Sequence, residues 1–292
     1  MHKHIVQVTR REFLQILTLN AALSPWEAVS AQREGEAQEG EAAYAPFRMG
    51  MQSYSLRGYN VDEALAKTQA LGLTWWEGYP EHFPITEDPK TLAGYKEKLR
   101  VHGIRMVSYG VVDFSNNEAA ARRKFEFAKA MEIATLSASP SPDSFPLLDM
   151  LTREYKINIG IHNHGPGDNL YATIDKVWAA LQGQSPRIGA CVDTGHYLRS
   201  GQDPVAAVHK FGRRVYGVHL KDVKTGPNGE KQFTEIGKGD LDTVGLLRAL
   251  RASHYSSRGI VSLEYEEHAD DPMPYIQGCL AATRAAIQKL RG

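Results

Sequence analysis

The feature that most constrains the fold of this chain is a regular alternation of short apolar runs with stretches of helical periodicity, which begins near Arg48. The helical stretches repeat apolar residues at helical spacing, and the first two end at Gly72 and Gly103, a common way to terminate a helix. Strict strand–helix alternation predicts a parallel sheet, and eight units can close it. We therefore expect an α/β fold, a (β/α)8 TIM barrel, as a single domain over residues 47–292. The apolar runs predict these strands: Met49–Tyr54, Thr74–Glu77, Arg105–Tyr109, Thr135–Ala138, Asn158–His162, Ile188–Asp193, Val215–His219 and Ile260–Glu264.

The chain length agrees with one such domain. A barrel of this kind takes about 250 residues, and a chain of 292 residues can supply them together with an N-terminal extension. A doubly wound open sheet is the structural alternative, because it uses the same alternation. That fold carries a glycine-rich loop after its first strand, and Tyr54–Gly58 (Tyr-Ser-Leu-Arg-Gly) is not one. The sequence therefore favours the closed barrel.

The N-terminal region is predicted to lie outside the barrel. Thr9–Gln15 (Thr-Arg-Arg-Glu-Phe-Leu-Gln) matches a twin-arginine export signal, Ile16–Leu23 is mildly apolar, and Val29–Ala31 offers small residues for cleavage. The apolar stretch is too short for a membrane span. We expect residues 1–31 to be a cleavable signal peptide that directs export to the periplasm, although an amphipathic helix with a chance arginine pair is the alternative. Residues 32–46, rich in Glu, Gly and Ala, predict a disordered linker.

Charge and cysteine content narrow the classes of partner. The 34 basic and 34 acidic residues balance, so the sequence gives no basic field of the kind that nucleic-acid binders carry, and we expect no nucleic-acid partner. Two cysteines cannot form a disulfide framework. Cys191 lies within an apolar run and is predicted to be a buried free thiol.

The last four predicted strands provide the strongest functional signal. In a parallel barrel the C-terminal ends of the strands lie around one rim, where barrel enzymes build their active sites. Any one polar strand end could be structural, but a carboxylate after an apolar run such as Gly189–Val192 needs a partner if it is buried. Imidazole and carboxylate without thiolate suit one divalent ion, such as Mn, Zn, Co, Mg or Fe. The predicted metal ligands are His162, Asp193, His219 and Glu264.

Four residues at the same rim are candidates for catalysis. Glu264 is the predicted base as well as a ligand, and His196 could donate a proton or orient a ligand. Lys221 could hold an oxyanion or a substrate carboxylate, whereas Glu77, at the end of the second strand, could bind a sugar hydroxyl or act as a base. A loop histidine and a surface lysine are the alternatives for His196 and Lys221. Glu266 ranks below Glu264, because loops usually begin two residues after a strand end.

Together these motifs resemble the sugar phosphate isomerase/epimerase family of xylose isomerase-like TIM barrels, a group that includes the AP endonuclease family 2 barrels. The resemblance is carried by Asp-Thr-Gly-His at 193–196, His-Leu-Lys-Asp at 219–222, Gly-Lys-Gly-Asp-Leu-Asp at 237–242 and the strand-end Glu264. It implies a metal held from strands five to eight by Glu, Asp, His and Glu. Carried over to this chain, these ligands are His162, Asp193, His219 and Glu264.

His162 departs from the family pattern, because a histidine stands where the resemblance implies a glutamate. A metal-bound imidazole cannot readily serve as a second base, since the metal occupies its lone pair. An ion with two carboxylate ligands rather than three is also less neutralised and a stronger Lewis acid. The departure therefore favours isomerisation or water elimination over stereochemical inversion.

The sequence thus predicts a divalent-metal-dependent isomerase or epimerase that acts on a free sugar or keto-sugar through a metal-bound enediolate. The alternative is a lyase or hydratase that uses the same site on a keto-sugar or an inosose-like substrate. Two remoter alternatives are a non-catalytic sugar- or metal-binding module and an AP endonuclease. The expected partner is a small carbohydrate, and the sequence leaves open whether the barrel pairs with a second copy.

Overall fold

The computed structural model describes residues 40–255 and 259–291 of the chain. Within them, eight parallel strands close into a barrel with the order β1-β10-β7-β6-β5-β4-β3-β2, which confirms the predicted (β/α)8 architecture. Two further strands, β8 and β9, form a separate antiparallel hairpin. The strands are β1 Arg48–Gln52, β2 Trp75–Gly78, β3 Arg105–Phe114, β4 Thr135–Pro140, β5 Asn158–His162, β6 Ile188–Asp193, β7 Val215–Leu220, β8 Asp222–Thr225, β9 Lys231–Thr234 and β10 Ile260–Leu263.

The helices surround the barrel and begin at side-chain caps that the sequence supplies. Asn60 and Glu63 form a reciprocal capping box at the first helix. Asp203 accepts a hydrogen bond from the backbone N–H of Val205, with Pro204 at the first helical position. The α-helices are α1 Val61–Ala70, α2 Pro89–Val101, α3 Glu118–Ala130, α4 Phe145–Tyr155, α5 Ile174–Leu181, α6 Thr194–Arg199, α7 Pro204–Phe211, α8 Thr243–Ala252 and α9 Met273–Arg291. None of the helices in the described part of the chain is long and apolar enough to cross a membrane.

Part of the N-terminal prediction needs correction. Residues 40–44 are helical, and Tyr44 is buried with its hydroxyl accepting a hydrogen bond of 2.6 Å from Arg284 Nη1. The C-terminal part of the segment predicted as a disordered linker, residues 32–46, therefore belongs to the fold, because its one large aromatic side chain finds a buried site. The predicted signal peptide, residues 1–31, lies outside the described residues.

The glycine-rich segment 237–242 surrounds a carboxylate of its own chain. Asp222 accepts hydrogen bonds from the backbone N–H groups of Gly237, Gly239 and Leu241, at 2.9 to 3.1 Å. A Cβ atom at Gly239 would lie 2.3 Å from Asp222 Oδ1, so only glycine fits there. We call residues 222–242, which contain β8 and β9, the excursion. The bonds of Asp222 join its two ends, and Phe233 on β9 lies beside the ends of β6 and β7.

Candidate metal centre

The predicted ligands meet because their strands are neighbours in the barrel. β5, β6, β7 and β10 lie side by side, and Asp193 is in register with His219. The buried side chain of Asn163 accepts from the backbone N–H of Asp193 at 2.8 Å and donates to its carbonyl at 3.0 Å, which ties the end of β5 to the end of β6. One ligand atom from each of His162, Asp193, His219 and Glu264 lies within 4.8 Å of the other three. We call these four buried residues the ligand cluster.

Distances within the ligand cluster fit a small divalent ion. His162 Nε2 lies 3.2 Å from Asp193 Oδ2 and 3.1 Å from His219 Nδ1. His219 Nδ1 lies 3.6 Å from Asp193 Oδ2 and 2.8 Å from Glu264 Oε2. Ligand atoms about 2.1 Å from a shared tetrahedral centre would lie about 3.4 Å apart. The separations in the ligand cluster are close to that value.

Protonation and hydrogen bonding also leave these atoms available to a cation. Burial lowers the pKa of His162 to about 3, so its imidazole is neutral and keeps a lone pair. Glu264 Oε2 is buried and lies 2.8 Å from His219 Nδ1 and 3.1 Å from Lys221 Nζ, and neither contact has hydrogen-bond geometry. Buried acceptors that face one another are costly unless a cation lies between them. The donor set therefore fits a divalent ion, whose identity these atoms leave open between Zn, Mn, Co and Fe.

Glu77 lies behind His219, inside the barrel. His219 Nε2 donates to Glu77 Oε1 at 2.9 Å, so Nδ1 is the nitrogen that faces the ligand cluster, where a bound ion would take the place of its proton. Ser137 and Ser262 donate to the two carboxylate oxygens of Glu77 at 2.6 and 2.9 Å. A carboxylate that fixes the tautomer of a ligating histidine is a common support of metal sites. Glu77 thus reaches the site through His219 and is too enclosed to contact a substrate, being 1% exposed.

Lys221 brings a buried ammonium group to the same carboxylates. Its Nζ lies 2.9 Å from Asp193 Oδ2 and 3.1 Å from Glu264 Oε2, and it also donates to Glu266. Burial opposes the positive charge, but Asp193, Glu264 and Glu266 outweigh it and raise the pKa of Lys221 above its usual value. The group is therefore an ammonium ion held at the edge of the ligand cluster.

His196 and Phe233 complete the wall beside Lys221. His196 Nε2 lies 4.0 Å from Glu266 Oε1, and its ring centre lies 5.8 Å from that of His162. Burial lowers the pKa of His196 to about 4, so this imidazole is neutral. The Phe233 ring lies 5.5 Å from the His196 ring and 5.4 Å from Lys221 Nζ. The arrangement places an ammonium, a carboxylate and a neutral imidazole around one end of the ligand cluster.

Comparison with known proteins identifies a family that this chain is similar to. A family model described as xylose isomerase-like TIM barrel matches residues 145–286, the stretch that carries all four residues of the ligand cluster. Residues 145–286 match that family, and the closed barrel of eight parallel strands is the fold that it names. A solved structure of the IOLI protein with a binding zinc atom superposes on this barrel with a TM-score of 0.67, at 17% identity, and covers 83% of this chain and 98% of that one. At this identity the likeness shows the fold.

Several curated proteins that this chain is similar to carry enzyme names. An inosose dehydratase of Lacticaseibacillus casei is 27% identical over 138 residues, which are 42% of this chain and 46% of the relative. The chain thus matches about half the length of that relative. An inosose dehydratase of Geobacillus thermodenitrificans is 24% identical over 238 residues, which are 76% of this chain and 74% of the relative.

Sequence reasoning ranked one member of the site too low and missed another. Glu266 was ranked below Glu264, yet its carboxylate bonds to Lys221 at the open side of the ligand cluster. Phe233 was not considered, because the polar segment around it gives little strand signal. The polar composition of residues 222–242 gives no sign that Phe233 lies at the site. Asp222, which ends the motif that contains His219 and Lys221, was the one available sign that the next loop is held in place.

Proposed function

We propose that this chain is a divalent-metal-dependent dehydratase that removes water from a β-hydroxy ketone of the sugar or cyclitol class. The observation that carries the proposal is the contact of Lys221 with Asp193 and Glu264, two carboxylates of the ligand cluster. It sets an ammonium beside the position where a substrate oxygen would meet the ion. The curated relatives named inosose dehydratase support water elimination over the isomerase or epimerase that the sequence favoured.

The chemistry follows from the roles that these contacts permit. His162, Asp193, His219 and Glu264 would hold the ion, which when bound polarises the ketone. In the reaction the carbon next to the ketone loses a proton and the β-carbon loses its hydroxyl, so the products are an unsaturated ketone and water. The Lys221 ammonium stabilises the negative charge that develops on the ketone oxygen.

Proton transfer requires groups outside the ligand cluster. Glu264 was predicted as both ligand and base, and we propose instead that Glu264 binds the ion while Glu266 accepts the proton. Glu266 is partly exposed and bonds to Lys221, so it can contact a substrate that lies against the ammonium. The proton that Glu266 takes from carbon then passes through the neutral ring of His196, 4.0 Å away, to the departing hydroxyl, which leaves as water.

Epimerisation fits these contacts less well, because it needs a second base on the opposite face of the reacting carbon. Glu77, the buried carboxylate nearest to such a role among the described residues, is committed to His219, Ser137 and Ser262. Aldose–ketose isomerisation needs only one base and stays as the second candidate. The two reactions share the first proton transfer and differ in whether water leaves.

Product analysis separates these functions. The full-length protein is loaded with Mn²⁺ or Zn²⁺, incubated in D2O with inosose and with open-chain keto-sugars, and the products are identified by NMR and mass spectrometry. A product lighter by one water supports the dehydratase. An isomeric product that carries deuterium on carbon and has lost no water indicates the isomerase and overturns the dehydratase proposal. Lys221→Met should slow formation of the product in this assay. Lys238→Met, a change at an exposed lysine of the loop that follows β9, serves as its control.

We also propose that the protein is exported through the twin-arginine pathway by residues 1–31. The support is the sequence Thr-Arg-Arg-Glu-Phe-Leu-Gln at 9–15. A periplasmic reporter fused after residue 46 should be exported by the wild-type segment and retained when Arg10 and Arg11 are both changed to Lys. Export of the double variant at the wild-type level would rule out this pathway.

A further inference from the structure

The guanidinium group of Arg199 is poorly satisfied for a half-buried arginine. Its Nη1 lies 3.5 Å from His196 Nδ1, and its Cζ lies 5.0 Å from the centre of the Phe233 ring. No carboxylate of the described residues forms an ion pair with it, whereas Arg57, the other arginine at this rim, donates to the carbonyls of Tyr54 and Glu266. A guanidinium has five N–H donors. Most of those of Arg199 are therefore left for solvent or a ligand.

Arg199 and Glu266 lie on different sides of the His196 ring. The two ring nitrogens of His196 face opposite ways, with Nε2 toward Glu266 and Nδ1 toward Arg199. A Cβ at Gly165, on the loop after β5, would lie 3.4 Å from Arg199 Nη1, so this loop borders one side of the guanidinium. The centres of the His162 and His196 rings lie 5.8 Å apart, and Arg199 Nη1 lies 3.5 Å from His196 Nδ1, so Arg199 lies one imidazole ring beyond the ligand cluster. A sugar-sized substrate whose ketone meets the ligand cluster can therefore reach Arg199.

The charges around the site indicate what Arg199 would meet there. Lys221, the other cation in contact with this wall, already faces three carboxylates. Arg199 has no such partner among the residues that the structure describes. A carboxylate brings one negative charge and two oxygens that match the guanidinium fork. A phosphate brings about two charges, which one guanidinium would leave partly unpaired in a half-buried position.

From this geometry we infer that the substrate carries a carboxylate at the end remote from its ketone, and that Arg199 binds it. The inference rests on the proposed function and narrows its substrate class to an acidic sugar or cyclitol ketone. Arg199 is then a specificity-determining residue, which separates acidic substrates from neutral ones of the same shape.

A matched pair of ligands tests this assignment. D-Glucuronate and D-glucuronamide differ at one group, which is charged in the first and neutral in the second. On the full-length protein loaded with Mn²⁺ or Zn²⁺, calorimetry should show glucuronate binding about tenfold or more tightly than the amide, as a charge-assisted pair implies. Arg199→Met should abolish the difference, and Arg199→Lys should keep part of it. Arg153→Met, a change at an exposed arginine of α4, should leave the difference intact.

Three results would overturn the inference: equal binding of the two ligands, no binding of either, or tighter binding of glucose 6-phosphate than of glucuronate. The dehydration assay separates a failure here from a failure of the proposed function. If glucuronate binding depends on Arg199 but no β-hydroxy ketone loses water, only the proposed function fails. If the wild type dehydrates inosose and shows no preference for the carboxylate ligand, only the Arg199 assignment fails. Thermal melting of each variant excludes loss of fold as the cause.

Discussion

The two halves of the barrel use their strand ends differently. β5, β6, β7 and β10 present the ligand cluster, whereas the buried histidine at the rim of the first half, His82, is hydrogen-bonded within the protein. Ser53, after β1, donates to His82 Nδ1 at 3.0 Å, and His82 Nε2 donates to the carbonyl of Tyr59 at 3.1 Å. The comparison teaches that a buried histidine signals a metal only when its lone pair faces other acceptors. Both ring nitrogens of His82 are paired with neutral groups, whereas those of His162 and His219 that enter the ligand cluster face carboxylates.

Removal of a residue of the ligand cluster should have the largest effect. His162→Ala, Asp193→Ala, His219→Ala and Glu264→Ala should each abolish stoichiometric metal binding, because each removes one ligand of a four-residue set. His82→Gln, the matched change in the first half, should retain the ion. Metal analysis of the purified variants measures this. If His82→Gln also loses the ion, or His162→Ala keeps it, the two halves do not differ as described.

Lys221→Met is expected to have the next largest effect. It removes the ammonium beside the reacting oxygen, so we expect kcat to fall about 10²- to 10³-fold, as for the loss of one oxyanion donor. The affinity for metal should not fall, because Lys221 competes with the ion for Asp193 and Glu264. Steady-state kinetics and metal titration check the two parts. A parallel loss of ion and activity would instead mean that Lys221 supports the ligand cluster itself.

Glu77→Gln tests whether a residue of the first half supports a ligand of the second half. The amide can still accept from His219 Nε2 but holds its tautomer less firmly, so metal affinity should weaken about 10- to 100-fold. Competition with a fluorescent chelator measures the affinity. Ser137→Ala, which removes one hydrogen bond to the same carboxylate, should have a smaller effect. An unchanged affinity in Glu77→Gln would exclude the positioning role.

The smallest expected effect is on the pH dependence of stability, through His82 in the first half of the barrel. Burial lowers the pKa of His82 in the folded protein, so the unfolded chain binds a proton more readily. Its contribution to stability is therefore present above the unfolded value of about 6.5 and is lost as pH falls toward the lower folded pKa. Chemical denaturation between pH 7.5 and about 5 should show a shallower decline for His82→Gln than for the wild type. Identical slopes would contradict this.

Much of the fold and the ligand set could be predicted from sequence. Asn158–His162 and Ile188–Asp193 have the predicted bounds, because short buried strands between helices leave a clear apolar pattern. The orientation of Glu77 could not be predicted, since the β2–β3 pairing shifts register between Trp76 and Glu77. Such a shift depends on tertiary packing. The roles of Lys221 and Glu266 depend on how deeply two loop residues are buried, and neighbouring sequence does not encode that.

The hairpin after β7 was also missed, for a different reason. Its strands are polar and short, and the bonds that hold it join Asp222 to residues 15 to 19 positions later. Local patterns carry no record of such contacts. The short helix α6 was missed likewise, because Asp193 serves as its N-cap while it also ends a strand.

The bonds made by Asp222 have a consequence for how this barrel could be altered. They join the start of this segment, at Val223, to its end, at Gly237 and Gly239. The tip of the hairpin, residues 226–230, takes no part in these bonds. Insertions or exchanges at that tip should leave the ligand cluster intact while they change what borders the mouth of the barrel. The excursion is therefore a natural place for related proteins, or for protein engineers, to diversify substrate range without rebuilding the catalytic chemistry.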